Sequence, residues 1–66
     1  MNNLVLTGKK RIAGFCGRSW ATILEWIKKD NFPAGKLSGV WESDESLIIA
    51  WRRDKIIEKS KTRELI

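Results

Sequence analysis

Apolar residues recur at helical spacing in three stretches of this chain, and glycine-bearing breaks separate them. In the first stretch Ile12, Ala13, Phe15 and Cys16 follow Gly8-Lys9-Lys10-Arg11. The pattern predicts a short helix there, with the Thr7 hydroxyl as its N-terminal cap. Gly17 suits a helix end that needs positive φ, and Ser19 is a good cap for a following helix, so the link is read as a tight turn. The second stretch, Trp20 to Asp30, predicts about three helical turns, with Ile23, Trp26 and Ile27 sharing the inward side. Ala21, Leu24, Glu25 and Lys28 then occupy the opposite arc, with Trp20 and Thr22 at its margins. A wheel centred on Trp20 would bury Leu24 and expose Trp26, and periodicity alone does not choose between the two phases.

From Asn31 to Ser43 the texture changes. This segment holds the chain's only proline, Pro33, and the pair Ser38-Gly39 between Leu37 and Val40-Trp41, which is a hairpin signal. A third helix is predicted after Ser43. Asp44 and Glu45 stand at its positive end, Leu47, Ile48 and Trp51 form its inward stripe, and Arg52-Arg53 lie in the last turn of the apolar pattern, where cations suit the macrodipole. Beyond residue 55 the apolar positions Ile56, Ile57, Leu65 and Ile66 are isolated among charges and sustain no heptad, so the tail 56–66 either continues the helix or frays. The expected architecture is mainly α: three helices and two short strands in one domain over 1–55, followed by a charged tail.

Length and composition narrow the function. Sixty-six residues leave room for one domain. A 42% hydrophobic and 32% charged composition describes neither a disordered polyelectrolyte nor a membrane span. With no His, no Tyr and one Cys, the chain lacks the parts of a Cys/His zinc site or of a histidine-activated nucleophile. No enzymatic activity, metal or cofactor is therefore expected. A single Cys cannot staple the fold, and the N-terminal Met-Asn-Asn-Leu-Val-Leu-Thr has neither a basic region nor a long apolar core, so a reducing cytoplasm is expected. Thirteen Lys+Arg against eight Asp+Glu give +5, and the pI near 9.8 points to a polyanionic partner, nucleic acid or an anionic membrane surface.

The runs Leu6-Thr7-Gly8-Lys9-Lys10-Arg11-Ile12-Ala13 and Gly17-Arg18-Ser19-Trp20-Ala21-Thr22-Ile23-Leu24-Glu25-Trp26-Ile27 come in a telling order. With the later Pro33, Gly39-Val40-Trp41 and Leu47-x-x-x-Trp51, they resemble the small winged helix-turn-helix family of phage excisionases, AlpA-type regulators and terminase small-subunit DNA-binding domains, related to MerR-like heads. The match spans about residues 4–53. What it implies is double-stranded DNA binding, with the second helix in the major groove and the hairpin wing at the backbone or minor groove. It also places Trp26 inward, which selects the first of the two wheel phases. Two positions depart from the family pattern: Val40 and Glu42 stand where cations are common, leaving Lys36 as the main wing cation.

On that resemblance the candidate DNA-binding residues are Lys10, Arg18, Trp20, Ala21, Thr22, Leu24, Glu25, Lys28, Lys29 and Lys36. The lysines and Arg18 would hold phosphates, as against serving as ordinary surface charge. Trp20 and Leu24 would meet thymine methyls, or else a protein. Thr22 would reach a phosphate or pack against the first helix, and Ser19 is read first as a cap. Cys16, Phe15, Trp26, Trp41 and Trp51 are assigned to the core, and Arg52 and Arg53 to the macrodipole. So small a reader would need help, from a homodimer, a cooperative neighbour, or a phage partner such as an integrase or terminase large subunit. Rival readings are DNA-packaging recognition of the terminase kind, and a protein-interaction adaptor that has lost DNA binding, for which Trp20, Leu24, Glu25 and Glu42 speak.

Overall fold

The computed structural model describes residues 4–64, with side chains through Ser60. Leu65 and Ile66, at the end of the expected tail, lie outside the described residues. The elements run β1 (Val5–Thr7), α1 (Lys9–Cys16), α2 (Trp20–Lys29), β2 (Ala34–Leu37), β3 (Val40–Asp44) and α3 (Glu45–Glu64). Three helices therefore stand with a three-stranded antiparallel sheet of order β1-β3-β2.

The third strand is the main departure from expectation. Val5-Leu6-Thr7 alternates outward, inward, outward, with only Leu6 buried, and three residues are too few for a period of two to declare itself. The segment pairs Val5 with Asp44, Leu6 with Ser43 and Thr7 with Glu42. Backbone bonds from Glu45 N–H to the Leu4 carbonyl (2.9 Å) and from Gly8 N–H to the Trp41 carbonyl (2.8 Å) extend the pairing at both ends. Thr7 thus belongs to the sheet and caps nothing; Gly8 precedes α1 without a side-chain cap.

Helix α1 ends as its sequence predicts. Gly17 adopts φ 69°, Arg18 N–H reaches the Ala13 carbonyl at 3.2 Å, and Gly17 N–H reaches the Gly14 carbonyl at 3.3 Å. That pair of bonds is a Schellman closure, and it turns the chain within three residues into α2. Ser19 caps α2, its Oγ accepting from Thr22 N–H at 3.3 Å. The Ser38-Gly39 hairpin also forms. Both residues have positive φ, 52° and 80°, the pattern of a two-residue type I′ turn whose twist matches the flanking strands.

Helix α3 starts one residue later than its acidic signal suggests, and by a different device. Ser43 is the buried partner of Leu6, its Oγ donating to the Pro33 carbonyl. Asp44 is the cap, its Oδ1 accepting from Ser46 N–H (2.8 Å), Leu47 N–H (3.4 Å) and the Ser46 hydroxyl. The helix then runs without interruption across residue 55 to Glu64, so the first nine residues of the expected tail are helical. Arg52 and Arg53 are consequently in mid-helix, too far from its C-terminus to serve the macrodipole.

The core is Leu6, Ile12, Cys16, Ile23, Phe32 and Ile48. Ile12, Ile23 and Ile48, one from each helix, are sealed at 0%, 0% and 1% exposure. Trp26, Ile27, Trp41 and Trp51 pack around them. Two core assignments are corrected: Phe15 is 39% exposed and Leu47 is 56% exposed. Each sits one position before the residue that defines its helix's inward line, Cys16 in α1 and Ile48 in α3, and a step of 100° turns it outward.

Ile23→Ala empties the centre of this core and is expected to cost about 2–5 kcal/mol, a large share of a small domain's stability, read as a lower midpoint in urea. A second expectation concerns the Asp44 cap. Hydrogen bonding to Ser46, chiefly to its side chain, lowers the carboxyl pKa below its ordinary value. Its contribution is therefore present above the unfolded pKa and is lost as pH falls through the folded one. Asp44→Asn keeps the cap without the charge, so wild type should lose stability relative to this variant in acid titrations, with the gap appearing below the ordinary carboxylate range.

Candidate functional site

All but one of the residues singled out in the sequence fall on three surfaces near aromatic contacts, and Lys10 lies apart from them on α1. Helix α2 carries the first. Ile23 is buried and Trp26 and Ile27 are half-buried, while Ala21, Glu25, Lys28 and Lys29 are exposed and Leu24 is half-exposed. The outward arc is thus the expected one. Glu25 and Lys29 pair across one turn at 3.3 Å with both side chains largely in water, an interaction of a few tenths of a kcal/mol that salt screens. Lys28 and Lys29 close the helix where its dipole favours cations.

Trp20 lies at the other end of α2 and is turned toward the body of the protein. Its ring stands 5.4 Å from that of Trp41, tilted by 59°. Lys36, opposite Trp41 in the β2–β3 pairing, sets its Nζ 5.8 Å above the Trp41 ring. The second surface is therefore a stack, Trp20 on Trp41 with Lys36 above, that ties the hairpin to the first turn of α2. Such an aromatic pair contributes about 0.5–1.5 kcal/mol beyond its buried area, and the cation over the ring about 0.5–1. The stack accounts for Trp20 structurally, which periodicity placed at the margin of the outer arc. Thr22 is likewise engaged locally, with its Oγ1 3.2 Å from Ser19 Oγ, within the cap.

The third surface joins residues far apart in sequence. Arg18, whose guanidinium donates to the Gly17 carbonyl at 3.1 Å, lines an open groove of about 650 Å³ together with Trp26, Asp30, Trp51, Arg52 and Lys59. Arg18 and Arg52 both act on the Cys16 thiol; burial pushes that thiol's pKa up, and the two cations pull against it. The grouping of Arg18 with Arg52, Lys55 and Lys59 was not read from the sequence. Its signal is the spacing 52, 55, 59 of cations on one side of a helix, visible only if α3 is continued past residue 55. Lys10, the remaining candidate, is exposed on the first turn of α1.

Rigid packing supports α2 at its far end as well. Trp51 Nε1 donates to the Asp30 carbonyl at 2.8 Å. Trp26, Phe32 and Trp51 form a triangle with centroid separations of 5.9, 5.2 and 5.0 Å. Among the described residues, no group of three or more His, Cys, Asp or Glu is arranged to hold a metal ion, and no helix is long and apolar enough to cross a membrane. Comparison with known protein families, with curated proteins and with solved structures finds no match to this chain.

Cys16 is 5% exposed, and its raised pKa leaves little thiolate at neutral pH. A thiol-specific reagent should label the native protein far more slowly than the urea-unfolded chain. Equal rates in the two states would place this residue outside the core.

Proposed function

We propose that this chain is a winged helix-turn-helix module that binds double-stranded DNA without catalysis, as an excisionase-like or AlpA-like regulatory protein of a phage or prophage. The observation that carries the reading is the stack Trp20–Trp41–Lys36, which fixes a hairpin and its cation beside the N-terminal turn of a helix whose outer arc is uncovered. A ten-residue helix is about 15 Å long, and its width suits the major groove. In this reading Ala21, Leu24 and Glu25 face base edges. Lys10, Arg18, Lys28 and Lys29 hold flanking phosphates, and Lys36 reaches the backbone beside the hairpin.

The +5 charge and the absence of histidine and tyrosine agree with a binding role. The proposed surface also includes one acid, Glu25, which forms an ion pair with Lys29. On DNA, Glu25 would accept from a cytosine amino group and so release Lys29 to the backbone. Specificity beyond a few base pairs would come from a second copy or a partner protein on the DNA.

Titration of random-sequence duplex at two salt concentrations tests the class of ligand: binding should weaken steeply with salt. Replacing Lys28 and Lys29 by Ala should weaken all sequences alike and flatten the logarithmic salt slope by about two. Glu25→Ala should change the preference among sequences in a selection experiment. An absence of duplex binding at low salt sinks the proposal, and an unchanged preference with Glu25→Ala moves the reading face elsewhere.

A further inference from the structure

The groove between the end of α2 and the side of α3 shares only Arg18 with the proposed DNA surface, and it has the make-up of a site. Its floor is apolar, formed by Trp26, Trp51 and Ile56. Two of these rings are locked, Trp51 through its bond to the Asp30 carbonyl and Trp26 against it at 5.2 Å. Arg18, from the turn between α1 and α2, and Arg52 and Lys59, from α3, supply cations to the lining. Among the described residues none of these three cations has a carboxylate within ion-pair distance. Ile56, 60% exposed, is the one large aliphatic side chain of the lining.

We infer that this groove docks an acidic amphipathic segment of a partner protein, with an apolar side chain on Trp51 and Ile56 and carboxylates on Arg52, Lys59 and Arg18. Charge complementarity selects this occupant. Arginines without a carboxylate partner take carboxylates in a two-point geometry, and the apolar lining in the same groove asks for an anchor side chain that a uniformly charged ligand lacks. A nucleic-acid backbone fits less well, because its phosphates and sugars bring no apolar side chain to cover Trp51 and Ile56. Lys55 is already engaged, lying 3.8 Å from Glu58 with its Nζ 6.0 Å from the Trp51 ring, and serves as a prop for the floor. The groove can be tested apart from the DNA proposal, since Arg52, Ile56 and Lys59 all lie outside that surface.

The test uses the full chain and a short fluorescein-labelled peptide with Glu and Leu in amphipathic helical order, followed by fluorescence anisotropy and by tryptophan emission. Saturable binding with a shift in that emission is expected. The double variant Arg52→Glu, Lys59→Glu should weaken it about tenfold or more, since two attractions, one of them half-buried, become repulsions. Ile56→Ser, which leaves every charge in place, should weaken it about fivefold by removing exposed apolar contact. A Gln/Leu peptide should bind at least about fivefold less well than the Glu/Leu one. Circular dichroism and thermal melting of both variants establish that they fold. Three results overturn the inference: no saturable binding of the Glu/Leu peptide, binding unaffected by the double variant, or loss of duplex or single-strand binding in the double variant while peptide binding persists. Duplex affinity measured on Ile56→Ser keeps the two proposals separate, because that variant leaves the net charge of +5 in place and the DNA reading predicts little change with it.

Discussion

The indole N–H of Trp51 reaching the carbonyl of Asp30 is the bond on which the arrangement of helices depends. It joins the end of one helix to the body of another across a separation of 21 residues, and it gives a partner to a carbonyl that the helix end leaves free. The ring that carries it lies against Trp26 and edge-on to Phe32, so one side chain supplies both a directional bond and much of the local packing. At the opposite end of α2, Trp20 against Trp41 does the corresponding work with the sheet. A ten-residue helix is too short to be stable by itself, and this one is held at both ends by tryptophan.

That economy explains how so short a chain manages with six buried hydrophobic side chains among its described residues. A chain of this size has little interior to fill, and here three isoleucines form the centre while half-buried indoles spread the apolar contact outward. Each indole contributes a large area for few rotatable bonds. The consequence for the surface is that the candidate cations are placed by the same rings: Lys36 over Trp41 and Lys55 over Trp51.

Much of this was legible in the sequence, and what was not has identifiable causes. The turn at Gly17, the cap at Ser19, the hairpin at Ser38-Gly39 and the inward line of α2 follow from local chemistry that acts over a few residues. β1 was not legible because three residues carry no periodicity and their partners, Glu42 to Asp44, lie far along the chain. Phe15 and Leu47 were misplaced because an apolar residue next to an inward position looks inward in composition and is outward in geometry. The length of α3 was obscured by charge, since a mixed-charge helix has no apolar stripe to announce it. On the candidate surface, the outer arc of α2 was readable from its wheel, whereas the convergence of Arg18 with Arg52 belongs to tertiary packing and has no counterpart in the linear order.

The junction between β3 and α3 has a mechanical meaning. Asp44 is at once the last residue of the strand and the cap of the helix, so no loop separates the two and nothing between them can bend freely. The hairpin and α3 therefore share one stiff joint, from which a twenty-residue helix, about 30 Å long, projects. A tilt of the hairpin of about one degree displaces the far end of that helix by roughly 0.5 Å. The cap at Asp44 and the bond from Trp51 to Asp30 thus fix between them where the far end of α3 lies.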